Sequence, residues 1–105
     1  MSAFVHGEPG ETIEKTMSLS LAEFEKSLAR MEPDVDGARM AVGRYRLGQA
    51  AEQVDISVDV LEPMLMGGLV NLPRCRVVIS FAGVPVEQRS AFLARFDQAF
   101  QRGGG

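Results

Sequence analysis

In Val54-Asp55-Ile56-Ser57-Val58-Asp59-Val60, β-branched apolar residues alternate strictly with polar ones. That period of two puts all the apolar side chains on one side of an extended strand, so the segment requires a sheet with one face buried and one wet. Cys75-Arg76-Val77-Val78-Ile79-Ser80-Phe81 repeats the pattern, with apolar residues at the odd positions. Met40 and Val42 have the opposite parity to Tyr45 and Leu47, and one extra residue, a β-bulge at Gly43, would restore the alternation. Three strands are therefore predicted.

Charge supplies their pairing. If Leu47 stands opposite Val54, then Arg46 faces Asp55 and Arg44 faces Ser57, diagonal to Asp55 and Asp59. A meander puts Arg74 and Arg76 on the other side of the same acidic strand. The inward set is then Tyr45, Leu47, Val54, Ile56, Val58, Val60, Val77, Ile79 and Phe81, which must be covered.

Two helices are available to cover it. Ser20-Leu21-Ala22-Glu23 is a capping box, and Leu21, Phe24, Leu28 and Met31 form the stripe that follows it, up to Glu32-Pro33. Val86 to about Gln101 carries a second stripe of Phe92, Leu93, Phe96 and Phe100. The expected fold is α+β and two-layered: helix, three-stranded antiparallel meander, helix, with both helices on one sheet face. Residues 1–17 combine Gly, Pro, Glu and Thr without apolar period and are expected to be a disordered leader. A single domain then spans 18–102, and 103–105 form a flexible glycine tail.

Composition closes off several functions. Of the net charge of −3, Glu8, Glu11 and Glu14 against Lys15 account for −2 before Met17, and neither part is basic enough for nucleic acid. The sheet-face arginines lack exposed aromatics beside them, so cross-strand ion pairing explains them better than RNA does. The longest uncharged run is Pro63 to Pro73, broken by Gly67-Gly68 and too short to cross a membrane. The N-terminus lacks the layout of a signal peptide, and the expected location is cytoplasmic. The one cysteine, Cys75, forms no internal disulfide and points inward with its strand, as a small apolar group.

No reactive set assembles. His6 is the only histidine. Glu32, Asp34, Asp36 and Gly37 imitate the opening of a calcium loop, but Pro33 interrupts the ligands and Gly43 stands where a bidentate Glu is needed. Gly67-Gly68 has neither the lysine nor the helix of a phosphate cradle. The chain is expected to be non-enzymatic, with no cofactor and no metal.

Two segments remain. Gln101-Arg102-Gly103-Gly104-Gly105 resembles the C-terminus of ubiquitin-like modifiers and bacterial sulfur carriers, which implies a carrier activated at its terminal carboxylate, with Gly104 and Gly105 as the threading tail. Those families lead into the tail from a β-strand, whereas here a helix precedes it. Pro63-Met64-Leu65-Met66-Gly67-Gly68-Leu69-Val70-Asn71-Leu72-Pro73 is an uncharged, methionine-bearing connection between strands, read as a loop. Met64, Leu65, Met66, Leu69 and Val70 are the expected contact for a protein partner, unidentified and including a second copy of the chain. For a homodimer, the exposed sheet edges are expected at Arg39 to Leu47 or at Arg74 to Phe81.

Overall fold

A computed structural model describes residues 12–48, 52–68 and 70–104. The elements in order are β1 (Thr12–Met17), α1 (Leu21–Met31), α2 (Val35–Ala38), β2 (Arg39–Ala41), β3 (Arg44–Leu47), β4 (Val54–Met66), β5 (Val70–Ser80) and α3 (Val86–Gly104). The sheet has five antiparallel strands in the order β1-β5-β4-β3-β2. The α+β class stands, but the three-stranded meander does not.

The additional strands come from two places. Thr12–Met17 pairs with β5 from Thr12 opposite Ser80 to Met17 opposite Cys75, so this part of the expected leader is a sheet edge. Its alternation is concealed because only Ile13 and Met17 pack against the core, while Glu14 pairs with Arg76 on the other face. Residues 1–11 lie outside the described residues. The second addition divides the segment around Gly43 into β2 and β3. Gly43 adopts a φ of 70° in the turn between them, and a Cβ there would meet Val58 O at 2.4 Å, so a residue without a side chain is required. The parity break at Gly43 thus reflects a chain reversal, and the register shift itself lies between Arg39 and Ala41.

The pairing of β3 with β4 follows the charges: Leu47 opposes Val54, Arg46 opposes Asp55 and Arg44 opposes Ser57. Because β1 pairs with β5 from Cys75 to Ser80, that part of the expected Arg74 to Phe81 edge is covered. The sheet ends at β1 and β2. Having left β1, the chain must reach the opposite side of the sheet to begin β2, and α1 and α2 make that crossing. Ser20 caps α1 as expected: Glu23 N–H donates to Ser20 Oγ at 3.1 Å, and Ser20 N–H donates to Glu23 Oε1 at 2.8 Å.

The core is one cluster between the helices and one sheet face. Phe24 and Leu28 of α1 and Phe92, Phe96 and Phe100 of α3 meet Tyr45, Leu47, Val54, Ile56, Val58, Cys75, Val77, Ile79 and Phe81. Val60 is missing from it. It has the parity of the inward set but is 67% exposed, because β4 continues past the helices that cover the rest of the sheet.

Candidate functional site: the β4–β5 arm

Between Pro63 and Pro73 the chain forms a hairpin in place of the expected loop. Leu61 opposes Arg74, Met64 opposes Leu72, Leu65 opposes Asn71 and Met66 opposes Val70. From Leu61 to Met64 is three steps on β4 but only two on β5, so a bulge stands at Glu62-Pro63 opposite Pro73. The bulge reverses the parity of β4. Below it even-numbered residues face the helices; above it Leu65 takes that side and Met64 the other. Gly67 and Gly68 turn the tip with φ of 63° and 73°, and a Cβ on either would meet nothing within 4 Å.

The arm stands clear of the rest of the sheet. β1 ends opposite Cys75 and β3 begins opposite Ser57, so among the described residues each arm strand, from Leu61 to Met66 on β4, has only the other for a neighbour. At about 3.3 Å per residue those six positions project roughly 20 Å. Leu65 is 65% and Met64 44% exposed. Of the other expected contact residues, Met66 and Val70 close the ladder as a backbone pair, and Leu69 lies outside the described residues. Val60 and, in the β2–β3 segment, Met40 and Val42 are also exposed large apolar residues. Sequence pattern missed them because it assigned Val60 to the core and ran Met40 and Val42 through a single strand. The signal was available in Gly67-Gly68 between two apolar runs, which is a hairpin turn in its own right.

The outer sheet face carries two of the predicted ion pairs, while Arg76 and Arg74 find other partners. Arg46 Nε lies 2.9 Å from Asp55 Oδ1, and Arg44 Nη2 lies 2.9 Å from Asp59 Oδ1. Arg76 opposes Asp59 in register but pairs with Glu14 of β1 at 2.6 Å, which lowers the Glu14 carboxyl from its ordinary value through the hydrogen bond and then the guanidinium charge. At the base of the arm Arg74 Nε donates to the Glu62 main-chain oxygen at 3.2 Å.

On the helix side, a half-buried polar cluster ties α1 to the β2–β3 hairpin. Tyr45 Oη donates to Glu25 Oε2 at 2.6 Å, and Arg39 donates to both Glu25 oxygens at 2.9 Å. Bonding to Arg39 first, and to Tyr45 second, holds the Glu25 carboxyl below its ordinary value. Burial first, then the carboxylate beside it, pushes the Tyr45 phenol up. A lowered folded value means that Glu25 stabilises the fold above its ordinary pKa and that this contribution disappears as pH falls through the lowered one. Tyr45→Phe is expected to cost about 1 kcal/mol at neutral pH. In urea titrations the gap from the parent chain should narrow as the solution is acidified below about pH 4. A gap independent of pH would remove Glu25 as its cause.

The remaining candidates have structural employment. Asp34 caps α2 by accepting from Gly37 N–H at 3.2 Å, Asp36 pairs with Arg39 at 3.0 Å, and Glu32 accepts from Asp34 N–H at 3.1 Å. Among the described residues no three His, Cys, Asp or Glu side chains gather as metal ligands. Cys75 is fully buried and burial raises its thiol. A cleft of about 540 Å³ opens at the other end of the sheet, lined by Leu47, Val54, Val84 and Phe92 together with Glu52 and Arg95. α3 extends through Gly104, so the glycine tail is helical up to that residue, and Gly105 and His6 lie outside the described residues. Among the described residues no helix is long and apolar enough to cross a membrane. No protein-family model, curated protein or solved structure matches the chain.

Proposed function

We propose that the protein acts by binding, and that it presents the β4–β5 arm to a protein partner. The observation that carries this reading is the exposure of Met64 and Leu65 on a projecting hairpin whose outer edges, among the described residues, have no strand beside them. A hairpin of two strands is marginal by itself. Extending one by six residues on β4 and five on β5, with apolar side chains in water, has no benefit for the core, which ends near Val58 and Cys75. Methionine beside leucine gives an adaptable apolar surface, and the paired strands offer main-chain donors and acceptors along their edges.

Changing Met64 and Leu65 together to serine separates contact from core. Because both side chains are exposed, stability should move by about 0.5 kcal/mol or less, whereas partner binding should weaken tenfold or more. The measurements are a urea titration and affinity capture on the immobilised full chain, parent against variant. Loss of several kcal/mol with capture unchanged would sink the proposal.

A further inference from the structure

The side of β4 that faces β3 is covered only as far as the β2–β3 turn. Val58 N–H donates to Gly43 O at 2.7 Å, and from Asp59 to Met66 no strand among the described residues lies on that side of β4. Alternate residues of a strand aim their main-chain groups to the same side, so Val60 N–H and C=O point into this open edge as those of Val58 point to β3. Beyond the bulge Leu65 is the corresponding residue. It opposes Asn71, which is four positions from Cys75 on the unbulged strand, and Cys75 opposes Val60.

Resting on the reading of the arm as a binding element, we propose that its partner is a second copy of the chain. The two β4 edges pair antiparallel about a two-fold axis at the Glu62-Pro63 bulge. Val60 of each copy then opposes Leu65 of the other, Leu61 opposes Met64, and Glu62 opposes Pro63. The open edge and the segment that fills it are the same stretch, so their lengths match, and each tip ends at the β2–β3 turn of the other copy, where Met40 is 62% and Val42 80% exposed. The residues with outward main-chain groups meet one another and exchange N–H···O bonds in both directions. On the side facing the helices, the cross-strand contact joins the exposed Val60 and Leu65; on the other it joins Leu61, which is half-buried, and Met64.

One feature opposes the pairing. The two Glu62 residues approach each other near the axis, and a proline in a bulge ordinarily blunts an edge. Each Glu62 brings Arg74 with it, since the guanidinium is anchored 3.2 Å from the Glu62 main-chain oxygen. The axis therefore carries two charges of each sign. Among the described residues neither the Glu62 nor the Arg74 side chain has an ion-pair partner in its own chain. The contact is small by the standard of stable dimers, which bury about 800 Å² per partner, so dissociation is expected at micromolar concentration.

Sedimentation of the full chain across concentrations tests this with Val60→Lys, Leu65→Glu and the double variant. Both single variants should weaken the dimer at least tenfold. The double variant, which sets Lys against Glu at both symmetric positions, should recover most of the loss. A nitroxide on Glu62→Cys supplies a readout that does not depend on weakening: the two labels should lie within about 10–15 Å, a few strand spacings. A parent chain that stays monomeric up to about 1 mM, a concentration at which even a millimolar complex would show, overturns the second copy but leaves the arm open to another protein. A dimer indifferent to both single variants, or a double variant no better than the singles, overturns the register proposed here. Indifference to both also removes the arm as the self-contact.

Discussion

Phe24→Ala is expected to destabilise the domain by about 3–5 kcal/mol. Its ring is fully buried at the junction of all the layers, 5.9 Å from the Tyr45 ring, 6.3 Å from Phe96 and 4.9 Å from Phe100, centroid to centroid. Truncation removes the transfer energy of the ring and leaves a hole that three aromatic neighbours cannot all fill by tilting. Two of those neighbours belong to α3, so the hole separates helix from helix as well as α1 from the sheet. A domain of this size has about 5–15 kcal/mol in total, and the variant should be close to unfolding at body temperature. In urea the midpoint should fall with little change in slope. Leu65→Ala, which removes a comparable apolar side chain from the exposed arm, is the internal comparison and should be nearly neutral. Similar losses at Phe24 and Leu65 would contradict both the core and the arm described above.

The aromatic center of the core was legible because its period is long and its alternatives few. Ser20 and Glu23 announce α1, and its stripe leads directly to Phe24 and Leu28. The register of β3 on β4 was legible for an electrostatic reason: only one alignment places Arg46 on Asp55 while keeping Tyr45 and Leu47 inward. β1 was not legible. It is an edge strand with two half-buried apolar residues, and its polar residues find partners, such as Arg76 for Glu14, that only the folded chain brings near. An edge strand chosen for pairing rather than burial has almost no pattern of its own.

The arm was half legible. Its apolar composition singled out Met64 and Leu65, but two prolines and two glycines in so short a run read as loop punctuation. The structure reconciles them with strands. Pro63 stands in the bulge, opposite Pro73, and the glycines supply positive φ at the tip. What sequence pattern could not supply was the length of β4 relative to β3 and β1. That difference leaves an edge open, and the reach of β4 past the helices exposes Val60, although it belongs by parity to the buried set.

Deleting residues 1–17 should therefore do more damage than the loss of a leader would. The deletion uncovers the edge of β5 from Cys75 to Ser80, over which Val77 and Ile79 are now fully buried, and withdraws Ile13 and Met17 from the core. Ladder hydrogen bonds at about 1 kcal/mol each and two half-buried side chains together amount to several kcal/mol, a large share of the total. A chain beginning at Thr12 keeps every β1 contact described above and is the reference. Against it, the shorter chain should show a markedly lower urea midpoint and concentration-dependent aggregation, because an open, largely apolar strand edge pairs with other chains. An unchanged midpoint and a monodisperse product would show that β1 contributes nothing to the fold. Adding Val60→Lys to the shorter chain decides which edge is responsible: aggregation through β5 should persist in the combined variant, whereas association through β4 should be lost.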